Sequence, residues 1–300
     1  MSPADDPQHD SRFSILDPQS RGAQDVPRES ARNILFQFVV FPLGVVVIGV
    51  GIFLLFGKLA GDERSIPDHL DAIRSGSSHQ RWQAAYQLSK SIKRGEASRY
   101  PNLLEQIASI YAGAKDEDPR IRQYLSLVFG TLGDRRATPL LLEATSDPSV
   151  DTRVYALMGL AQLRDPAAVP RVVQLVSDEE KDVRKTAAWA LGVIGDAHAV
   201  PALAAALGDP AADVRFNAAV ALSGFGDRRA LGVLREMLDR SRLDGIAGMR
   251  PDQKEEAIIV AIAPYARLAG DEARPDLEKL ARDSSLRVQE AAREALATLR

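Results

Sequence analysis

The sequence has 300 residues, of which 45% are apolar and 26% are charged, and it contains no cysteine. These values exclude a wholly disordered chain and a disulfide-stapled small domain, and the lack of cysteine excludes thiolate catalysis, zinc knuckles and iron–sulfur clusters. The net charge of -3, from 38 basic and 41 acidic residues, gives no indication of nucleic acid as the main partner.

Residues 1–33 are polar and mixed in charge. They contain four Arg, four Pro and six acidic residues, with few apolar side chains. Such a segment cannot bury enough surface to offset the entropy that is lost on ordering. The composition therefore predicts a disordered polar tail.

The next segment, residues 34–56, is almost wholly apolar. It has no charged residue, and Gln37 is its one strongly polar side chain. A helix over this segment would be about 34 Å long, and a hydrocarbon core is roughly 30 Å thick. A buried core helix would show a polar stripe, and a signal peptide would have a shorter apolar run and a small-residue cleavage site. The pattern predicts a transmembrane helix over residues 34–57, with residues 34–56 in the lipid bilayer.

From residue 61 onward the sequence repeats with a period of 31 residues. Residues 147–177, 178–208 and 209–239 align without a gap. Two outer copies fit if insertions are allowed, of about ten residues near 90–98 and about 12 around 240–252. We interpret the insertions as tolerated surface loops, with docking loops for a partner or an anionic surface as the alternative.

Each unit contains two amphipathic segments. In residues 178–208, Ala187 and Leu191 lie on one face at helical spacing, and a second apolar stripe follows Gly195 and Asp196. Gly195 can adopt the left-handed conformation that ends the first helix, and Asp196 can cap the second. Since neither helix buries its stripe alone, the pattern predicts an all-α solenoid of stacked helical hairpins.

The unit resembles the short HEAT-like repeat of the phycobilisome-lyase type, whose consensus is D-x-x-x-x-V-R-x-x-A-A-x-A-L-G-x-x-G-D-x-x-A-x-P-x-L. The residues that match it are Asp178, Val183, Arg184, Ala187, Ala188, Ala190, Leu191, Gly192, Gly195, Asp196, Ala199, Pro201 and Leu203. The resemblance implies a HEAT-repeat α-solenoid over residues 78–300, after a linker and short helix over 58–77. It implies little about function, because the same repeat occurs in scaffolds, adaptors, assembly factors and a few enzymes.

Asp and Arg recur at fixed positions of the repeat. Each of three Asp residues lies 19 positions before the Arg of the next unit, in the pairs Asp134/Arg153, Asp165/Arg184 and Asp196/Arg215. Catalytic groups rarely recur in every unit. We therefore expect a structural ladder of charge-assisted hydrogen bonds between neighbouring turns, similar to the one that is typical of HEAT repeats.

The remaining polar residues indicate no catalytic, cofactor or metal site. His9, His69, His79 and His198 are far apart, and none forms the His-Glu dipeptide used by HEAT-repeat di-iron hydroxylases. Nothing in the sequence identifies the pigment pocket of a bilin lyase. Residues 58–300 carry 34 basic and 35 acidic residues, and their paired arginines do not form a continuous stripe. We expect no enzyme activity, no cofactor, no metal and no nucleic-acid partner.

The second helices of the units provide a candidate protein-binding surface, because they line the concave face in this repeat type. Their outward columns are Leu140, Arg171, Ala202 and Val233, and Glu143, Gln174, Ala205 and Glu236. These side chains are small, mixed in polarity and mildly apolar. Such a surface suits a peptide or a helical partner better than a polar substrate.

These features predict a scaffold, adaptor or accessory subunit that binds other membrane proteins and is tethered to the cell (cytoplasmic or inner) membrane by a single span. An assembly factor is the main alternative, and a lyase-like enzyme is the alternative from another class. The basic residues that flank the span are balanced, so the positive-inside rule gives no orientation. We favour an extracytoplasmic repeat domain because short-tailed anchors commonly export the domain that comes after them, although solenoids of this type are more often cytoplasmic.

Overall fold

The computed structural model of the chain describes residues 65–95, 99–100 and 102–299, together with residue 43 and residues 46–52. The chain divides into two units, Met1–Glu63 and Arg64–Arg300. In the first unit, residues 46–52 are helical and exposed. The predicted tail, and most of the predicted span, lie outside the described residues. Within the described ranges, no helix has both the length and the apolar character that a bilayer crossing requires.

The described residues of the second unit form helices joined by turns and contain no strand. Its fifteen helices are α1 (Ile66–Ser75), α2 (Ser78–Ser91), α3 (Leu103–Gly113), α4 (Pro119–Leu132), α5 (Thr138–Ala144), α6 (Val150–Leu163), α7 (Val169–Leu175), α8 (Lys181–Ile194), α9 (Val200–Ala206), α10 (Ala212–Gly224), α11 (Leu231–Leu238), α12 (Arg240–Asp244), α13 (Pro251–Ala269), α14 (Arg274–Leu280) and α15 (Leu286–Thr298). The short helix α1 lies within the predicted segment 58–77.

Four successive repeats share one plan. A first helix of 13 or 14 residues (α4, α6, α8 or α10) is followed by a 3-10 turn and a second helix of seven or eight residues (α5, α7, α9 or α11). The prediction of an all-α solenoid of helical hairpins is confirmed. The period of 31 residues corresponds to one such hairpin and its two connections.

The turn inside each repeat is determined by the residues that end the first helix and begin the second. Gly133 and Gly195 end their helices with φ of 73° and 78°, in the left-handed region that glycine adopts without strain. An Asp follows, and its carboxylate accepts a hydrogen bond from the backbone N–H two residues later. This holds for Asp134, Asp165, Asp196 and Asp227. Asp196, predicted to cap the second helix, caps the 3-10 turn that leads into this helix, whose own first turn has no side-chain cap.

The core lies between the repeats, because the first helices pack side by side as α4 on α6, α6 on α8 and α8 on α10. The residues at one position of successive units, Phe129, Leu160, Leu191 and Leu222, are all fully buried. Small residues permit the close approach of these helices. A Cβ atom on Gly159 would lie 2.5 Å from the backbone oxygen of Ser126, and one on Gly192 would lie 2.7 Å from Cβ of Ala221.

The predicted pairing of the Asp/Arg ladder is wrong, although a ladder exists. The repeat arginines bond to the Asp that precedes the next first helix, 25 positions later, in the pairs Arg122/Asp147, Arg153/Asp178 and Arg184/Asp209. Each of Arg153, Arg184 and Arg215 also donates to the backbone oxygen of the Asp that opens its own repeat, at 3.0 Å. The ladder therefore joins each repeat to the next one through the loops between repeats.

The physical reason lies in the direction of the helices. The repeat Arg is in the first turns of its helix, whereas Asp134, Asp165 and Asp196 follow the other end of a first helix. The repeat Arg and the last residue of its own first helix are separated by roughly 15 Å along the helix axis. Asp134 instead bonds to the guanidinium of Arg136, Asp165 to Thr138 and Asp196 to His198.

The insertion around residues 240–252 changes the ladder at the last full repeat. Position 240 would hold the next ladder Asp, but it holds Arg240, and Arg215 bonds to Glu236 at 2.6 Å instead. Arg240 lies at the start of α12 and donates from Nε and Nη2 to Asp283, at 2.7 Å and 2.5 Å. The insertion thus forms a short helix that is bonded to the loop between α14 and α15, rather than a loop with no tertiary role.

Candidate protein-binding surfaces

The predicted columns lie on the second helices α5, α7, α9 and α11, but only one of them is mainly exposed. Leu140, Arg171, Ala202 and Val233 are half-buried. Arg171 donates from Nε to Oγ1 of Thr145 at 2.9 Å, and Leu140 and Val233 pack against the core. This first column therefore contributes mainly to the fold.

The second predicted column remains available for contact at three of its four positions. Glu143, Gln174 and Ala205 are exposed, and Glu236 is partly covered because it accepts the ion pair from Arg215. Two small or neutral side chains and one carboxylate provide no deep pocket. The second-helix side can thus present a mixed, shallow surface to a partner.

A groove of about 640 Å³ opens instead on the side formed by the first helices. Its walls are α8, α10 and α13, together with Met237 of the second helix α11 and residues 246–249 of the insertion. Like the first helices of the other repeats, α13 is followed by a 3-10 turn and a helix of seven residues, α14. Most of its lining is apolar: Trp189, Phe216, Val220, Met237, Ile246, Ala247, Met249, Ala257 and Val260. Trp189 and Val260 are 38% and 42% exposed, which is unusual for large apolar side chains that a folded chain could have buried. We call this site the first-helix groove.

Polar groups line the amino-terminal ends of the same helices. Lys181 lies at the start of α8, Asp213 near the start of α10, and Glu256 in the second turn of α13. Among the described residues, no ion pair reaches Lys181 or Asp213, and Glu256 bonds to Arg287 at 3.3 Å. The groove thus has an apolar floor with charged groups along one edge.

Each of the two amides of the groove uses one of its polar groups within the protein. Nδ2 of Asn217 donates to the backbone oxygen of Asp213 at 2.8 Å, and Oε1 of Gln253 accepts from the backbone N–H of Arg250 at 3.0 Å. Beyond their first turns, the helical walls also satisfy their own backbone groups. An occupant would therefore find an apolar surface and charges, with few free hydrogen-bonding partners for a peptide backbone.

Sequence reasoning missed the first-helix groove because it assigned binding to the second helices. One signal was present: the outward positions of Lys185 and Trp189 recur 31 residues later as Phe216 and Val220. Phe216 and Val220 are both apolar, at positions of the repeat that solvent would otherwise reach. The contribution of the insertion to the groove could not be predicted from the 31-residue period, since the insertion interrupts that period.

Aromatic side chains cover the first helices of the amino-terminal repeats. The ring centroids of Tyr86 and Tyr124 are 5.1 Å apart, and those of Tyr124 and Tyr155 are 5.9 Å apart. Burial raises the pKa of Tyr155. The guanidinium of Arg120 lies 4.1 Å from the ring centre of Trp82. The first-helix side is therefore more aromatic than the second-helix side along much of the solenoid.

The paired arginines of the intra-repeat turns are held by groups of the protein itself. Arg136 bonds to Asp134 and Glu105, and Arg229 bonds to Asp227. Hydrogen bonds from Arg136 hold the pKa of Asp134 below its ordinary value. These cations are engaged in ion pairs rather than forming a continuous exposed stripe.

The described histidines lie apart from one another. His79 packs edge-on against Trp82, with ring centroids 5.2 Å apart, and Nδ1 of His198 lies 2.7 Å from the carboxylate of Asp196. Across the residues that the structure describes, no group of three or more His, Asp or Glu side chains is arranged to hold a metal ion.

Comparison with known proteins identifies the repeats. Residues 107–176, 138–213 and 169–249 match the sequence profile of HEAT repeats. The predicted resemblance to HEAT repeats is thereby confirmed for the central part of the solenoid. No curated protein sequence matches the chain.

Solved structures share the fold at low sequence identity. The chain is similar to the complex of CpcE and CpcF of phycocyanin lyase from Nostoc sp. PCC7120, with 18% identity over 79% of this chain and 88% of that chain, and a TM-score of 0.53. It is also similar to YIBA of Escherichia coli, with 16% identity over 81% of this chain and 84% of that chain, and a TM-score of 0.50. At these identities the similarity shows a common solenoid fold.

Proposed function

We propose that this HEAT-repeat solenoid is a protein-binding scaffold, adaptor or accessory subunit of a membrane-associated complex. The observation that supports the proposal is the first-helix groove, whose exposed Trp189 and Val260 lie on helices fixed by the core. A rigid surface with an apolar floor favours association, since it loses little conformational entropy when a partner binds. The proposal assigns no catalytic step, cofactor or metal to the chain.

Membrane tethering is part of the same proposal and is supported by the apolar composition of residues 34–57. A tether would raise the effective concentration of the solenoid near other membrane proteins, so that contacts of modest affinity would suffice. The test is fractionation of the full chain, compared with a variant carrying Val47→Glu and Val50→Arg. Resistance of the full chain to carbonate extraction, and its loss in the variant, is the expected result. Extraction of both proteins alike would contradict the tether.

The side of the membrane is tested separately with reporters at the carboxyl terminus. We propose an extracytoplasmic repeat domain, so a phosphatase fusion should be active and a fluorescent-protein fusion dark. The opposite result would place the solenoid in the cytoplasm. The binding proposal does not depend on this outcome, because both helix sides are available for contact in either compartment.

The binding proposal is tested by site-specific photocrosslinking in cells. A photoreactive residue is placed at Val260 in the groove, at Gln174 on the second-helix side, and at Glu278 on α14 as a control. We expect a defined adduct of a single partner from Val260 or Gln174 and none from Glu278. Absence of a specific adduct from both surface positions would argue against a scaffold.

A stable subunit and a transient assembly factor differ in the lifetime of the complex. We propose a subunit, so the crosslinked partner should copurify with the unmodified chain after detergent extraction. A partner found only as a photoadduct would instead indicate an assembly factor. In both cases the chain acts by binding.

A further inference from the structure

The first-helix groove has the chemistry of a site for one kind of ligand. We infer that it binds an amphipathic α-helix of a partner protein, with the apolar face of that helix on the floor and its Lys or Arg side chains at Asp213 and Glu256. This inference rests on the proposed binding function and names its surface and the chemistry of the partner.

The hydrogen-bonding needs of a bound backbone favour a helix over an extended chain. Asn217 and Gln253 each use one polar group of their amides within the protein, and beyond their first turns the helical walls leave few backbone groups free. An extended peptide would bury unsatisfied N–H and C=O groups on the apolar floor, which is unfavourable. An α-helix satisfies these groups internally and presents only side chains to the groove.

The dimensions of the groove agree with a short helix. The groove crosses three neighbouring first helices, α8, α10 and α13, and packed helices lie about 8–10 Å apart. Crossing from the first to the third spans roughly 20 Å, which is about 13 residues of helix. The floor includes Met237 and Met249, whose flexible side chains adapt to the shape of an apolar partner.

The sign of the partner's charge follows from the edge of the groove. Asp213 forms no ion pair among the described residues, and Glu256 is exposed and shared with Arg287 at 3.3 Å. Lys181 is the single cation among the described residues that line the groove. An occupant with Lys or Arg beside its apolar face would pair with these carboxylates, whereas an acidic occupant would be repelled.

The test uses the full chain in neutral phosphatidylcholine nanodiscs and a fluorescein-labelled 18-residue helix with Leu on one face and Lys on the other. Fluorescence anisotropy measures the affinity. A peptide of the same composition in scrambled order, and one with Glu in place of Lys, test the amphipathic pattern and the charge. Empty nanodiscs measure binding to the lipid alone.

Two kinds of variant distinguish the contribution of the apolar floor to affinity from that of the charged edge. Val260→Glu places a charge on the floor, and we expect at least a tenfold loss of affinity. Leu286→Glu is the matched control, because Leu286 is 78% exposed and lies outside the groove, and we expect no change. The combined Asp213→Asn and Glu256→Gln variant should lose about three- to tenfold for the basic helix and should weaken the dependence on salt. Circular dichroism verifies that each variant is folded.

Three results would overturn the inference. They are equal affinity for the basic and acidic helices, equal affinity for the ordered and scrambled peptides, and equal effects of Val260→Glu and Leu286→Glu. Sedimentation velocity covers a further case: self-association of the full chain that Val260→Glu abolishes would make a second copy the occupant. If the groove does not bind the helix but Gln174 gives a specific photoadduct, the scaffold function is still supported and only the inference about the groove is contradicted.

Discussion

Arg184 and Asp209 form a two-point ion pair between successive repeats. Nε and Nη2 of Arg184 donate to the two carboxylate oxygens of Asp209, at 2.7 Å and 3.1 Å, and both side chains are largely shielded from solvent. The hydrogen bonds that Arg184 donates to Asp209 raise the pKa of the Arg184 guanidinium. This pair fixes the loop between repeats to the first turns of the preceding helix and is one step of the ladder that joins the repeats.

Removing Arg184 should weaken the interface between repeats. In Arg184→Met the hydrogen bonds to Asp209 and to two loop carbonyls are lost, and we expect a decrease of about 1–3 kcal/mol in the free energy of unfolding. Urea denaturation followed by circular dichroism measures it. The matched control is Lys185→Met, next along the same helix, whose exposed pair with Asp182 should contribute less than about 0.5 kcal/mol. Equal effects of the two variants would show that the ladder is not stabilising.

Acid should destabilise the solenoid in part through Asp283. Hydrogen bonds from Arg240 hold the pKa of Asp283 below its ordinary value, while burial opposes this effect. A carboxylate with a lowered folded-state pKa contributes stability above its unfolded-state pKa of about 3.9, and this contribution is lost as the pH falls through the folded-state pKa. We therefore expect Asp283→Asn to be less stable than the parent at pH 7, with a smaller further loss below about pH 4.

Thermal unfolding of both proteins at several pH values measures this difference. Asp252 provides the control, because it also pairs with an arginine, Arg250, but is fully exposed. Asp252→Asn should leave the pH profile unchanged. Parallel profiles for the parent and Asp283→Asn would rule out the role assigned to Asp283.

Gly159 and Gly224 should respond in opposite directions to the same substitution. Both lie in first helices, but a Cβ on Gly159 would approach the backbone oxygen of Ser126 at 2.5 Å, whereas one on Gly224 would meet no atom within 4 Å. Gly159→Ala should destabilise by about 1–3 kcal/mol because α4 and α6 must separate. Gly224→Ala should be neutral or stabilise by up to about 1 kcal/mol, through helix propensity. Denaturation midpoints that move in the same direction would refute the close packing described for Gly159.

The hydroxyl of Tyr265, on α13, should stabilise the packing of this helix against α11 and α14. It donates to Asp276 at 2.6 Å and accepts from Nη2 of Arg235 at 2.6 Å, and burial raises the pKa of this phenol. Tyr265→Phe should lower the free energy of unfolding by about 1–2 kcal/mol because Asp276 and Arg235 lose a shared partner. Tyr86→Phe is the control, since its half-buried ring should retain its packing without the hydroxyl. A loss as large for Tyr86→Phe would show that the effect at Tyr265 does not come from its hydrogen bonds to Asp276 and Arg235.

Sequence reasoning predicted the repeat architecture well because each element has a local cause. Gly195 in the left-handed conformation and Asp196 as a cap are determined by the chemistry of adjacent residues, and the 31-residue period repeats that chemistry. The partners of the ladder could not be predicted in this way. Both Asp134 and Asp178 belong to sets that recur with the same period, so spacing alone could not distinguish which of them lies beside Arg153.

The sequence by itself therefore determined an all-α solenoid, its turns and the recurrence of its arginines, since these depend on contacts a few residues apart. The near balance of charge corresponds in large part to ion pairs such as Arg184 with Asp209. Only the tertiary structure decided which carboxylate each arginine meets and where an apolar surface stays open. The first-helix groove joins α8, α10 and α13 with the insertion, and its shape depends on how segments distant in sequence pack against one another.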